Sequence, residues 1–157
     1  MTTEDKKLLL SDLCARLPYG VKTYVRHYSK LDRKWYEGTY TVNSVHPSLN
    51  EILVSSDKYS VEVLLGHFDY EIKPYLFPLT EEILYKATNE SNEFYGKIIS
   101  LDWNSDEETC NLNIPKRLLL RSKIYSSVVN YFYKHHIDYN GLIEKDLALD
   151  ATGLGIY

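Results

Sequence analysis

Hydrophobic positions recur at two different periods along this chain. In EDKKLLLSDLCARL, Leu9, Leu10, Leu13 and Leu17 share one face at helical spacing. That pattern predicts a short helix over residues 4–17, ended by Pro18 and Gly20. The period then drops to two. In VKTYVRHY (21–28), Val21, Thr23, Val25 and His27 alternate with Lys22, Tyr24, Arg26 and Tyr28. A half-buried strand follows from that alternation.

After the polar loop SKLDRK, the segment WYEGTYTVNSVH (35–46) is β-branched and aromatic, with Gly38 as the expected site of a bulge. PSLN reads as a turn, and EILVSS (51–56) with YSVEVLL (59–65) reads as a hairpin. EIKPYL (71–76) supplies a last strand, restricted by Pro74 to an edge or a terminus. Four or five short strands joined by short loops predict a small SH3-like antiparallel β-barrel, with the leucine face of the first helix as its cap.

Beyond residue 77 the pattern changes again. PLTEEILYKATNES (78–91) predicts a helix with Thr80 as N-cap and Glu81 and Glu82 in its first turn. Residues 93–103 and 108–114 predict a second hairpin. KIYSSVVNYFYKHH repeats Ile124, Val128, Phe132 and His135 at helical spacing, and GLIEKDLALDA predicts a shorter helix after the corner IDYNG. The expected fold class is therefore α+β. Residues 1–77 form the N-terminal helix plus the SH3-like barrel. Residues 78–157 form a helix, a β-hairpin and C-terminal helices, packed with the barrel as one unit.

Composition narrows the class of work. The chain has 157 residues, is 44% hydrophobic and 25% charged, and carries a net charge of −4; these are values of a globular protein. The acidic balance argues against bulk electrostatic binding of nucleic acid, though a local basic patch stays open. No apolar run approaches the length of about 20 residues that spans a bilayer, and MTTEDKKLLLSDL lacks the apolar core of a secretory signal. Cys14 and Cys110 have no metal or disulfide spacing, which places the chain in a reducing cytoplasm with both thiols expected in the interior. Fifteen tyrosines stand against four phenylalanines and two tryptophans. Tyrosine joins a large apolar face to a polar tip and suits binding surfaces; codon bias in an A+T-rich genome is the other explanation.

Candidate chemistry begins with YKHHIDYNGLIEKDLAL. His135 and His136 are adjacent, about 100° apart around a helix, whereas a helical chelate needs ligands three or four apart. Asp138 is placed to cap the amides of the segment after it, and Glu144 falls on the solvated side. His67 and Asp69 in GHFDY form a common loop pair. No nucleotide-binding glycine loop, zinc-protease motif or nucleophile elbow is present, so no catalytic residue, metal or cofactor is expected. The strongest binding signal is KTYVRHYSKLDRKWYEGTY. Lys22, Tyr24, Arg26 and Tyr28 share a strand face, Arg33, Lys34 and Trp35 follow in the loop, and Tyr36 joins them as an anchor. Aromatics interleaved with Lys and Arg suit a protein hot spot, or stacking combined with phosphate contact.

Three stretches carry a resemblance: MTTEDKKLLLSDLCARLPYGVK, then IKPYL with FPLTEEIL, then HHIDYNGLIEKDLAL. Together they resemble a family of small proteins encoded by gut Bacteroidales and by their phages and mobile elements. The likeness covers both ends of the chain and the junction near Lys73–Glu82. It implies common descent and a bacterial host cytoplasm, and it brings no activity, cofactor or catalytic residue. One position departs from the family pattern: Asp146 stands where a glycine is expected after GLIEK. The expected function is a non-enzymatic protein-binding module from a phage or mobile element, with inhibition of a host defence or regulatory protein as a specific form. A nucleic-acid-binding accessory protein using the same basic strand is the alternative. A small metal-dependent hydrolase on His135, His136 and Asp138 is a third.

Overall fold

The computed structural model describes residues 1–80, 82, 83, 85–87, 89, 100–104, 109–113 and 123–157. The chain divides into two units, Met1–Pro78 with Asp138–Tyr157, and Leu79–Ile137. The opening segment of the first unit ends at Pro78, and the closing segment from Asp138 groups with it. Leu142, Leu147 and Ala148 are buried with Leu76, giving that segment an apolar anchor beside the sheet.

The first unit opens with α1 (Thr3–Arg16). The Thr2 hydroxyl accepts from the Asp5 N–H at 3.1 Å, and the Asp5 carboxylate accepts from the Thr2 N–H at 2.9 Å. This reciprocal cap satisfies two helix-end donors and puts negative charge at the positive end of the helix dipole. A 3₁₀ turn (Leu17–Tyr19) ends at Gly20, whose φ of 69° suits a residue without a Cβ.

Five antiparallel strands follow: β1 (Lys22–Ser29), β2 (Lys34–His46), β3 (Glu51–Ser55), β4 (Ser60–Leu64) and β5 (Tyr70–Pro78). They lie in the order β4-β3-β2-β1-β5. Two short strands, β8 (Ile137–Asp138) and β9 (Leu149–Asp150), both pair with β5, and β9 runs parallel to it. The result is a mixed sheet of 7 strands. It is not closed: no ladder joins β4 to β5 among the described residues. An open sheet thus stands where a barrel was expected. Leu9, Leu10 and Leu13 of α1 are buried against Val21, Val25, Val42, Ile52, Val54, Val63 and Ile72, so the helix does cap the apolar face. Each such fully buried aliphatic side chain contributes about 1.5–3 kcal/mol.

Three local expectations are corrected. Gly38 pairs regularly with Val25, and the bulge falls between Val42 and Ser44 instead. β5 is not an edge strand, since it has neighbours on both sides. Pro74 is tolerated there because it faces Thr23 in a non-bonded position: the Tyr28 N–H bond to the Asp69 carbonyl at 2.9 Å fixes the alternation, and Pro74 falls out of phase with it. Cys14 is exposed rather than interior, lying off the leucine face of α1; the Cys110 side chain lies outside the described residues.

In the second unit, Ile83 donates its N–H to the Thr80 hydroxyl at 3.3 Å, and helical backbone occurs at Glu82, Ile83, 85–87 and Asn89. The expected hairpin is present as β6 (Ser100–Asn104) and β7 (Thr109–Asn113); its remaining residues, 93–99, 105–108 and 114, lie outside the described ones. The helix α2 spans Lys123–Lys134. The shorter helix expected after it is instead a run of hydrogen-bonded turns in the first unit, at residues 142–146. The Leu142 carbonyl accepts from the Leu147 and Ala148 N–H groups at 2.8 and 3.2 Å. Asp146 takes φ 56°, the left-handed conformation that stops a helix. Among the described residues, no helix is long and apolar enough to cross a membrane.

Candidate functional site

The alternation of β1 sends Val21, Thr23 and Val25 inward and leaves Lys22, Tyr24, Arg26 and Tyr28 on the other face. Pairing with β2 brings Trp35 opposite Tyr28, Glu37 opposite Arg26 and Thr39 opposite Tyr24. Pairing with β5 brings Glu71 opposite Arg26 and Lys73 opposite Tyr24. Five of the predicted residues, Lys22, Tyr24, Arg26, Tyr28 and Trp35, therefore share one sheet face.

That face has internal order. Trp35 keeps 46% of its surface exposed. The Arg26 guanidinium carbon lies 4.7 Å from the centre of its ring, and the Tyr28 ring lies 5.4 Å away, tilted by 58°. A cation against an indole face gains about 0.5–1 kcal/mol at an exposed site. The Tyr24 hydroxyl donates to the Glu37 carboxylate at 2.7 Å. That bond, aided by burial and the carboxylate's charge, pushes the Tyr24 phenol up to about 12. Lys73 lies 2.6 Å from Asp146 and 3.6 Å from Glu71. The face is thus aromatic and mixed in charge, with Arg26 flanked by Glu37 and Glu71.

The other two predicted residues lie elsewhere. Arg33 sits in the β1–β2 turn with φ 54°. Tyr36 is paired with His27 and so falls on the opposite face, where its ring stacks on the imidazole at 5.7 Å. Its hydroxyl donates to Asp32 at 3.1 Å, which raises its pKa. Burial lowers the pKa of His27, whose Nδ1 has no partner among the described residues. A strand reverses its face at every residue, and including Tyr36 with Trp35 overlooked that.

Sequence reasoning missed Glu37, Glu71 and Lys73. The first was within reach, because a tight turn over residues 30–33 sets Arg26 opposite Glu37. Glu71 and Lys73 depend on the long-range β1–β5 pairing, which has no local signal.

The histidine-rich stretch has no ligand geometry. His135 is exposed and its ring lies 4.3 Å from that of Tyr131, whereas His136 is buried with φ 55°. Asp138 caps the turn that follows, accepting from the N–H groups of Leu142 at 2.8 Å and Ile143 at 2.7 Å. Among the described residues no group of three His, Cys, Asp or Glu is placed to hold a metal ion. The His67 Nδ1 accepts the Asp69 N–H at 3.2 Å, an ordinary turn contact.

Comparison with family models, with curated proteins and with solved structures finds no match to this chain.

Proposed function

We propose that this chain is a non-enzymatic protein-binding module that engages a partner protein through the outer face of β1 and β2. The observation that carries this reading is the exposed Trp35 with Arg26 and Tyr28 against it. Trp, Tyr and Arg are the side chains in which binding energy concentrates at protein interfaces. Pre-stacking lowers the rotamer entropy still to be lost on association. The mixed charge supports a protein partner over nucleic acid, because Glu37 and Glu71 beside Arg26 oppose a phosphate backbone.

The sequence resemblance supplies the setting. The partner is a protein of a gut Bacteroidales host, met in its cytoplasm by a phage or mobile-element product, and inhibition of a host defence or regulatory protein is a specific form of the idea. The strand order β4-β3-β2-β1-β5 supports an SH3-like arrangement left open between β4 and β5.

The test is capture from host lysate by the tagged chain and by its Tyr24→Ala/Arg26→Ala/Trp35→Ala variant. A partner taken by the wild type and lost by the folded variant supports the reading, and equal capture removes this face as the interface. Salt-sensitive retardation of single-stranded nucleic acid that the same variant abolishes would favour the alternative.

A further inference from the structure

The opening in the sheet is a second candidate surface, distinct from the Trp35 face. Among the described residues, β4 pairs with β3 on one side only. The Leu65 N–H donates to the Asn50 carbonyl, and the Ser56 N–H to the Tyr59 carbonyl, each at 2.9 Å. Antiparallel bonding alternates, so Ser60, Glu62 and Leu64 turn their backbone groups away from β3. The Leu64 carbonyl accepts from His67. The N–H and C=O of Ser60 and Glu62 and the N–H of Leu64 have no partner among the described residues.

This edge faces an open groove of about 430 Å³. His27, Tyr59, Val61 and Tyr70 line it from positions that alternate with the outward-facing ones, and Ser60, Glu62 and Leu64 line it from the edge. Among the described residues, the carboxylates that line it are those of Glu51 and Glu62. The register puts Glu51 opposite Leu64 and Glu62 opposite Leu53, so both carboxylates lie on one side of the β3–β4 pair.

We propose that the free edge of β4 takes an extended peptide segment of a partner protein, in which β-branched apolar side chains alternate with lysine or arginine. The segment pairs its backbone with Ser60, Glu62 and Leu64, sets its apolar side chains towards Val61, Tyr59 and Tyr70, and sets its cations beside Glu62 and Glu51. Main-chain bonds supply affinity in this mode and alternate side chains supply selectivity. A second copy of the chain fits worse. Antiparallel pairing of two β4 strands about their centre sets Glu62 opposite Glu62, and like charges directly opposite are unfavourable.

The probe is a capped seven-residue peptide alternating valine and lysine, with its valine–glutamate counterpart as control. The readout is amide hydrogen exchange of the full chain. At about 1 mM peptide, the range of weak binding, the lysine peptide is expected to protect the Ser60, Glu62 and Leu64 amides. The glutamate peptide is expected to bind at least about tenfold more weakly, a difference of about 1.4 kcal/mol. Glu62→Pro removes only an outward N–H, which an edge strand tolerates, and is expected to abolish protection. Glu62→Lys keeps every backbone group and is expected to reverse the peptide preference, which guards against a misfolded proline variant. Any of three results overturns the proposal: no protection by the lysine peptide, equal protection by both peptides, or edge amides already protected without peptide. Trp35→Ala alters none of these outcomes, so this test and that of the Trp35 face fail separately.

Discussion

The Arg26 guanidinium rests 4.7 Å from the centre of the Trp35 ring, on the sheet face that turns away from the core. Such a contact organises a surface more than it holds a fold together. Arg26→Ala is therefore expected to lower unfolding free energy by less than about 1 kcal/mol, the range of an exposed cation–π pair. Urea denaturation of the two proteins checks this, and a loss of several kcal/mol would show that the pair is structural.

Tyr24 and Glu37 make a pH-dependent contact on the same face. A phenol whose folded pKa is about 12, against an ordinary value of 10.0, favours the folded state while protonated. Its contribution is fully present below about pH 10 and is lost as pH rises through about 12. Tyr157 behaves alike. It keeps 45% of its surface exposed, but its hydroxyl is inside, donating to the Tyr75 carbonyl at 2.8 Å and accepting from the Lys22 N–H at 3.1 Å. Burial of that hydroxyl pushes the phenol up to about 12. Ultraviolet titration of the wild type should show late-ionising tyrosines, and Glu37→Ala should return one of them towards about 10. An unchanged titration curve would contradict the Tyr24–Glu37 bond.

Asp12 and Arg16 are both fully buried on α1, joined at 2.6 and 2.9 Å, and Asn140 donates to the same Asp12 carboxylate at 3.0 Å. Removing one partner breaks a buried, hydrogen-bonded charge pair. Asp12→Ala is expected to cost about 3–5 kcal/mol, whereas Asp12→Leu/Arg16→Met should recover most of that loss. Chemical denaturation of the three proteins decides it, and a double variant no more stable than the single one would contradict the charge-pair explanation.

That pair also marks where sequence reading stops. The leucines of α1, the alternation of β1 and the hairpins were legible because their periods are local. Asp12 and Arg16, both charged, give no hydrophobic signal. The pair is also joined from far along the chain, where Asn140 reaches Asp12 across 128 positions. The open sheet was equally hidden. Local patterning reports that strands exist, but not whether β4 meets β5. Of the candidate face, the β1 residues were visible and their acidic neighbours Glu37 and Glu71 were not.

Asp138 separates a structural role from a catalytic one in the histidine-rich stretch. It satisfies two amides at 2.8 and 2.7 Å. Asp138→Ala should cost about 1–2 kcal/mol, the cost of losing a helix-type cap, and Asp138→Asn should cost less because it keeps an amide oxygen as acceptor. Thermal denaturation distinguishes the two, and an Asp138→Ala variant as stable as the wild type would remove the capping role.

The affinity of Trp35→Ala for the protein captured by the wild type tests the proposed binding face most directly. Titration calorimetry is expected to show a loss of about 2 kcal/mol or more, roughly thirtyfold in Kd, with the fold retained. An affinity within about twofold of wild type, less than about 0.5 kcal/mol, would contradict the assignment of that face as the interface.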